Sequence, residues 1–261
     1  MFLSDNHKSV IGMVHLPPLP GSPRYEGSLD KVRETAIRDA DALATGGVHA
    51  LMMENFGDVP FHPTRVPAHV VASMTAIAAA IRKRFDLPLG INVLRNDGQS
   101  ALAVAAATGS TFIRVNVLCG ARVADQGLIQ AIAHDLLRDR ATLRADHIRI
   151  LADVDVKHSA PLAPRDLKDE VEDTLHRGLA DALIVSGAGT GKTTDPEKVR
   201  QVKSFAPQTP LLVGSGITAD TVAGYLPFAD GFIVGTSFKE RGNAANPVDV
   251  QRVRELMRRL S

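Results

Sequence analysis

The chain repeats one pattern eight times: a short run rich in Val, Ile and Leu, then a longer segment with helical periodicity. The runs are almost continuously apolar and no tight hairpin turn separates them, which is typical of buried parallel strands. The predicted strands are 11–16, 50–56, 89–94, 112–117, 148–156, 182–187, 211–216 and 231–237. The predicted helices are 29–45, 66–84, 99–108, 126–140, 167–177, 196–205 and 247–260.

Eight strand–helix units in 261 residues have the size and order of a (β/α)8, or TIM, barrel. A doubly wound open sheet is the alternative α/β architecture, but it does not require eight equally regular units. No Pro-rich or Ser-rich linker interrupts the series. We therefore predict an α/β fold in which residues 1–261 form a single TIM-barrel domain.

Charge and cysteine content exclude several classes of function. The 30 Lys and Arg residues nearly balance 29 Asp and Glu residues, so the chain lacks the basic field that holds nucleic acids or anionic membranes. The single cysteine, Cys119, cannot form an internal disulfide, and we expect it to be neither catalytic nor a metal ligand. The longest run of small apolar residues, 101–107, is far below the ~20 residues of a membrane span. We expect a cytoplasmic protein without a nucleic-acid partner or a membrane span.

Polar side chains stand late in six of the apolar runs, where a TIM barrel has its active site. They are His15, Glu54, Asn55, Asn92, Arg114, Asn116, Asp153, Asp155, Lys157, His158 and Ser186. Period-two alternation places Asp153, Asp155 and Lys157 on one face of the fifth strand. One buried Asn is usually a structural residue, but burying this many ionisable groups is costly unless they are paired or bind a ligand. The set predicts a polar pocket, although Arg114 could simply neutralise Asp153 or Glu54.

Glycines follow the last three predicted strands and indicate a phosphate-binding type of barrel. Backbone N–H groups of Gly214, Ser215 and Gly216 and of Gly235 and Thr236 can approach an anion closely. Gly187 and Gly189, with Lys192, could complete the cradle; the alternative is that these glycines only turn the chain. The loop 187–193 is not a nucleotide P-loop, because that motif requires Gly where this chain has Ser186. No acidic residue follows at the place that a dinucleotide-binding motif requires.

Five segments resemble the BtpA/SgcQ family, and the likeness covers nearly the whole chain. They are IGMVHLPPLPGSP (11–23), MENFGDVPF (53–61), GINVLRND (90–97), RVNVLCG (114–120) with DQG (125–127), and ADVDVKH (152–158). The resemblance implies a TIM-barrel enzyme of unsettled reaction, with one branch associated with photosystem I biogenesis and another with a sugar-utilisation gene cluster. The family commonly has a different residue at the position of Asp155. It therefore supports Asp153, Lys157 and His158 more firmly than Asp155.

We predict an enzyme that acts on a small phosphorylated sugar or related metabolite by isomerase, epimerase or lyase chemistry. Asp153 or Glu54 would be the base, and Lys157 or His15 the group that stabilises negative charge on the substrate oxygen. Asn92, Arg114, Asn116, Asp155, His158 and Ser186 would bind the substrate. Lys157 could instead form a Schiff base, which a neighbouring Asp153 would oppose.

Two other functions fit the residues. One is a non-catalytic assembly factor, although such a protein needs no acid, base and glycine loops at its barrel rim. The other is glycosidic cleavage of a nucleoside or sugar by the Glu54 and Asp153 pair. No cofactor is predicted; a divalent metal remains an option, because His15, Glu54, Asp153 and Asp155 are permitted ligands. The sequence leaves a homo-oligomer open.

Overall fold

Eight parallel strands close into a barrel in the computed structural model, which describes residues 8–187, 189 and 191–260. Eleven strands are assigned: β1 (Ser9–His15), β2 (Ala50–Glu54), β3 (Leu89–Asn92), β4 (Phe112–Val115), β5 (Ala121–Ala124), β6 (Gly127–Gln130), β7 (Arg149–Val154), β8 (Ser159–Pro161), β9 (Ala182–Ser186), β10 (Leu211–Gly214) and β11 (Gly231–Val234). The barrel order is β1-β2-β3-β4-β7-β9-β10-β11, and β11 pairs with β1 to close it. The predicted TIM barrel is confirmed.

Helices follow the barrel strands and cover the outside of the barrel. They are α1 (Leu29–Gly46), α2 (Ala68–Arg84), α3 (Gly98–Thr108), α4 (Ala133–Thr142), α5 (Leu167–His176), α6 (Pro196–Phe205) and α7 (Val250–Leu260). Between β10 and β11 the chain forms only a short 3-10 segment, Val222–Tyr225. Side-chain caps begin several helices: Ser28 accepts the Lys31 N–H, and Asp97 accepts the Ser100 N–H. None of the helices in the described residues is long and apolar enough for a membrane span.

The core has two layers because the two faces of each strand are buried against different partners. Between the barrel and the helices lies the larger layer. Inside the barrel, a plug of ten side chains fills the end away from the carboxyl termini: Ile11, Met13, Ala50, Met52, Phe112, Leu151, Ala182, Ile184, Leu212 and Ile233. Gly90 provides the space for Phe112, since an added Cβ would lie 2.0 Å from its ring. The plug keeps water out of the barrel below the site.

A small antiparallel sheet at the carboxyl end of the barrel differs from the sequence prediction. The predicted helix 126–140 is wrong over its first residues, because 121–130 forms a hairpin and the helix begins at Ala133. β5 pairs with β6 and also with β8, giving the order β6-β5-β8. Asp125 and Gln126 form the two-residue turn before Gly127, whose φ is +92°. This turn brings both residues to the mouth of the barrel.

Candidate active site

Strand alternation builds a ring of polar side chains above the apolar plug. The residue two positions after an inward-facing apolar residue or glycine points inward one layer higher. Thus His15 follows Met13, Glu54 follows Met52 and Arg114 follows Phe112. Asn92, Asp153 and Ser186 extend β3, β7 and β9 in the same way. These six strand-end predictions therefore converge at one end of the barrel.

Asp153 is held in a buried ion pair. Arg114 donates from Nε and from one terminal nitrogen to its two carboxylate oxygens, at 2.8 Å each. Asn116 Nδ2 donates to the same carboxylate at 2.9 Å, and the Asn92 side-chain amide donates to the Arg114 carbonyl at 3.1 Å. As a candidate base, Asp153 was expected to border the cavity. In the structure it lies behind Arg114 instead. Its carboxylate orients Arg114, whose guanidinium does line the cavity.

Glu54 and His15 face each other across the mouth of the barrel, with His15 Nε2 3.9 Å from a Glu54 carboxylate oxygen. Burial raises the pKa of Glu54, and the charges of Arg114 and Lys157 oppose this. Burial, with the charges of Lys239 and Lys157, lowers the pKa of His15 to about 3. The imidazole is therefore neutral at physiological pH, and it stacks on Phe56 with 4.5 Å between ring centroids. A carboxyl with a raised pKa beside a neutral imidazole suits proton transfer.

Lys157 crosses the site from the loop after β7. Its ammonium lies 3.4 Å from Ser215 Oγ, and its backbone N–H donates to Ser186 Oγ at 3.4 Å. Burial and the charge of Arg114 lower the pKa of Lys157 to about 8, against the opposing charges of Glu54 and Asp153. The side chain is a cation at neutral pH that loses its proton within reach of ordinary alkaline conditions.

Asp155 lies on the other side of the loop, contrary to the predicted shared face. β7 ends at Val154, and the φ of Asp155 is +50°, so strand alternation stops before this residue. Its carboxylate pairs with Arg122 and Lys198, outside the cavity. Arg122 also bonds Ser159 and Glu170, and these contacts fasten β5 to β8 and α5. Asp155 therefore helps to hold the small sheet against the barrel and α5.

The predicted phosphate loops line a cavity of about 210 Å³, here named the small lobe. Its walls include Gly214, Ser215, Gly216, Gly235, Thr236 and Ser237, together with His15, Glu54, Arg114 and Lys157. Ser215 and Gly216 both have positive φ, +72° and +67°. Gly216 is required where the chain crosses the loop after β9, because a Cβ there would lie 2.4 Å from Thr193 Cα. Sequence reasoning missed Arg252, a further cation of this lobe, because it lies in α7 and not at the carboxyl end of a barrel strand.

The loop after β9 lines the small lobe with a different glycine from those predicted. Gly187 packs against the carbonyls of Lys192 and Thr193, and Gly189 lies against the side chains of His158 and Lys192. In the described part of this loop, Gly191 reaches the small lobe, whereas Gly187, Gly189 and Lys192 do not line it. Ala188 and Thr190, which belong to the same predicted loop, lie outside the described residues.

A second cavity of about 500 Å³, the large lobe, adjoins the small lobe. The two share Glu54, Phe56, Arg114 and Lys157 as walls. The large lobe adds Val59, Phe61, Leu94, Arg95, Asn116, Asp125, Gln126 and His158. Arg95 was not among the predicted site residues, although a charged residue three positions after a barrel strand is the signal that would have found it. The combined site has a glycine-lined end and a wider, partly apolar end.

Several predicted residues have structural contacts. Asn55 accepts the Leu94 N–H at 2.7 Å and donates to Asp58. Cys119 lies outside both lobes, its thiol donates to the Asp173 carbonyl, and burial raises its pKa, which suits a packing residue. Among the described residues, no three His, Cys, Asp or Glu side chains are arranged to hold a metal ion. The divalent-metal option remains a prediction.

The profile of the BtpA family matches residues 6–261. The chain belongs to the BtpA family. An uncharacterised protein of Thermococcus kodakarensis is 48% identical over 250 residues, covering 96% of this chain and 94% of that protein. The "Photosystem I biogenesis protein BtpA" of Synechocystis sp. is 47% identical over 249 residues, covering 95% and 86%. These relatives confirm the family resemblance.

Among solved structures, N-(5'-phosphoribosyl)anthranilate isomerase from Pyrococcus furiosus superposes with a TM-score of 0.58. The alignment covers 97% of this chain and 98% of that one at 14% sequence identity. A likeness at this identity shows the shared barrel fold and nothing about the reaction.

Proposed function

We propose that this BtpA-family protein is an enzyme that acts on a small phosphorylated sugar or related metabolite by isomerase or epimerase chemistry. The observation that supports it is one site in which the glycine loops after β10 and β11 adjoin Glu54, His15 and Lys157. A purely structural barrel has no need of a buried carboxyl with a raised pKa beside a neutral imidazole and two glycine loops.

The phosphate would bind in the small lobe, against the Gly214–Gly216 and Gly235–Ser237 loops, with Lys157 and Arg252 supplying positive charge. Glu54 then takes a proton from the carbon next to the substrate carbonyl. Neutral His15, or the Lys157 ammonium, donates a hydrogen bond to the carbonyl oxygen as it becomes an enediolate. Return of the proton from Glu54 to the neighbouring carbon, with the hydroxyl proton passing to the former carbonyl oxygen, completes an isomerisation. An epimerisation requires a second acid, such as the Lys157 ammonium, to deliver a proton to the opposite face of the same carbon. Asp153 holds Arg114 in place during both steps.

A lyase is a second candidate, and the pKa of Lys157, about 8, favours it. Asp153 was expected to keep this lysine protonated; its charge opposes the shift, but its carboxylate pairs with Arg114 and the pKa of Lys157 is still lowered. The unprotonated amine could attack a substrate carbonyl and lose water to form a Schiff base. Sodium borohydride would then trap a substrate-derived adduct on Lys157, detectable by mass spectrometry, which the isomerase mechanism does not produce.

The experiment that tests the proposal follows the proton that Glu54 is expected to move. A panel of aldose and ketose phosphates is incubated with the protein in D2O, and loss of the proton next to the carbonyl is followed by NMR. We expect exchange with at least one compound, and a decrease of roughly 10²-fold or more in Glu54→Gln. The variant should still show the increase in melting temperature that phosphate binding causes.

The matched control is Gly214→Val, which changes the floor of the small lobe. A Cβ there would lie 3.7 Å from Ile184 and 3.9 Å from Ile233, which is ordinary contact, and Gly214 is not among the glycines with positive φ. This variant should lose the phosphate effect on melting temperature. If neither inorganic phosphate nor any sugar phosphate stabilises the parent protein, the proposal fails. If they bind without exchange or borohydride trapping, the assembly-factor alternative suggested by the Synechocystis relative is favoured.

A further inference from the structure

Arg95 is a buried cation in the wall of the large lobe that lacks an anionic partner among the residues that the structure describes. Only 4% of the residue is exposed. One terminal nitrogen donates to the Lys157 carbonyl at 2.5 Å, and Nε has no hydrogen-bond partner in the described part of the chain. No described carboxylate lies within the 4.0 Å of a salt bridge to it, although Glu54 and Asp153 are near enough to favour its charge. Arg114, in contrast, has both its Nε and a terminal nitrogen on one carboxylate.

A buried guanidinium without a counter-charge is costly unless a ligand supplies one. Arginine offers two parallel N–H groups that match the two oxygens of a carboxylate. The walls beside Arg95 include Phe56, Phe61 and Leu94, which limit the access of water and so strengthen an ion pair formed there. The large lobe therefore has the chemistry of a carboxylate site rather than of a neutral sugar end.

We propose that Arg95 binds a carboxylate of the substrate, so that the substrate carries a phosphate at one end and a carboxylate at the other. This inference rests on the proposed function, because that function places the phosphate in the small lobe. It names the substrate class more narrowly: a phosphorylated sugar acid, or another small phosphorylated carboxylic acid.

Lys157 sets the separation of the two anion sites. Its carbonyl accepts from Arg95, while its ammonium reaches Ser215 in the small lobe. The sites are therefore separated by about the length of one extended lysine and its two contacts, roughly 10 Å from standard bond lengths. A chain of five or six carbons with a terminal carboxylate and a terminal phosphate has this length. The shared walls Glu54 and Arg114 then lie along its middle, where the proposed proton transfer takes place.

Asp125 is the one acidic group that the small sheet adds to the large lobe. It is exposed, its carboxylate accepts from the Gln126 side-chain amide at 2.5 Å, and its charge also favours the cationic form of Arg95. Because it lies on the solvent side of the lobe, it leaves the buried face of Arg95 to a ligand. Its negative charge should weaken carboxylate binding slightly. A variant that removes this charge should therefore bind a carboxylate more tightly, the opposite of the effect expected for Arg95→Met.

The test compares two probes of equal carbon chain length by isothermal titration calorimetry. 6-Phosphogluconate carries a phosphate and a carboxylate, whereas D-glucitol 6-phosphate carries the phosphate alone. We expect the parent protein to bind 6-phosphogluconate at least tenfold more tightly. Arg95→Met should remove this preference and leave the affinity for D-glucitol 6-phosphate unchanged, Arg95→Lys should keep part of it, and Asp125→Asn should increase it. Gly214→Val should weaken the binding of both probes.

The outcomes separate this inference from the proposed function. Equal affinities of the parent protein for the two probes overturn the carboxylate site while leaving the phosphate site intact. An equal loss of both probes in Arg95→Met also overturns the carboxylate site, because Arg95 would then bind a group that the two probes share. Gluconate is the third probe: if it alone binds and depends on Arg95, the carboxylate site stands and the phosphate site fails. If none of the three probes binds, the carboxylate inference fails, and the proposed function is then decided by inorganic phosphate and the sugar-phosphate panel alone. Should Arg95→Met not fold, as judged by its melting transition, loss of the preference in Arg95→Lys decides the question.

Discussion

The Asp153 carboxylate shows how hydrogen-bond partners determine which of two buried acidic residues is free to react. Both oxygens of Asp153 accept charge-assisted hydrogen bonds, from Arg114 and Asn116. Within the described part of the chain, Glu54 has no such bidentate partner, and burial raises its pKa. A base needs an oxygen that can accept the substrate proton, so the geometry favours Glu54. Asp153 lines neither lobe, so its predicted role as the base has no direct contact with the site to support it.

We expect Asp153→Asn to destabilise the protein rather than only to inactivate it. The substitution leaves the Arg114 guanidinium buried without its counter-charge, which typically costs about 3–5 kcal/mol of unfolding free energy. Urea unfolding of the parent and variant at pH 7 measures the loss. Glu197→Gln is the control, because it breaks an ion pair with Arg200 on an exposed helix surface and should change nothing measurable. A fully stable but inactive Asp153→Asn protein would instead support Asp153 as the base.

At the scale of elements, the small sheet depends on one buried arginine. Arg122 on β5 bonds Ser159 on β8, pairs with Asp155 and reaches Glu170 on α5. Lys198 also contacts Asp155 but none of the sheet. Because three strands of three or four residues have little core of their own, these polar contacts must supply much of the attachment.

We therefore expect Arg122→Met to loosen the small sheet and spare the barrel. Without the guanidinium, Asp155 and Glu170 lose their shared cation and repel each other. Hydrogen exchange measured by mass spectrometry should accelerate in 121–130 and 159–161, with β1 and β2 unchanged. Lys198→Met, which removes the other cation of Asp155, should give a smaller effect. Uniform acceleration across the chain would mean that Arg122 supports the whole fold.

The same elements show how far sequence reasoning reaches. Alternation along continuous apolar runs located His15, Glu54 and Arg114, because a strand residue two positions beyond the plug has no other direction to point. The rule failed where strands end: Asp155 adopts a positive φ, and Arg95 lies in a loop with no periodicity to place it. The hairpin 121–130 was missed because its alternating residues continue into a segment of helical composition. Its pairing with β8 is a contact between distant segments, which no local pattern encodes.

At the scale of the whole molecule, the barrel shifts the pKa values of the titratable groups in the site. An apolar plug below and a ring of strands around the polar residues exclude water, and the resulting low dielectric raises the pKa of Glu54 and lowers those of His15 and Lys157. All three shifts favour the neutral forms. The shift of the His15 pKa to about 3 keeps the imidazole uncharged at neutral pH, and this has a measurable effect on stability.

The effect of His15 on acid stability follows from its two pKa values. In the unfolded chain the imidazole takes up a proton below pH 6.5, whereas in the folded protein it does so only below about 3. Between these values the unfolded state binds more protons, so His15 makes the free energy of unfolding decrease as the pH falls from 6.5 towards 3. Above pH 6.5 it has no such effect. Glu54 titrates in an overlapping range with the opposite sign, because its folded pKa is raised.

We therefore compare His15→Gln/Glu54→Gln with Glu54→Gln alone, so that the carboxyl contributes to neither protein. Between pH 7 and pH 4, the free energy of unfolding of Glu54→Gln should fall by about 3 kcal/mol more than that of the double variant, from 1.36 kcal/mol per pKa unit. Loss of the stacking on Phe56 shifts the double variant equally at both pH values, so it cancels in the comparison. Urea unfolding followed by circular dichroism provides the four free energies. Parallel pH dependence in the two proteins would mean that the folded imidazole takes up its proton near the ordinary pKa of 6.5, so that burial does not hold it neutral in acid.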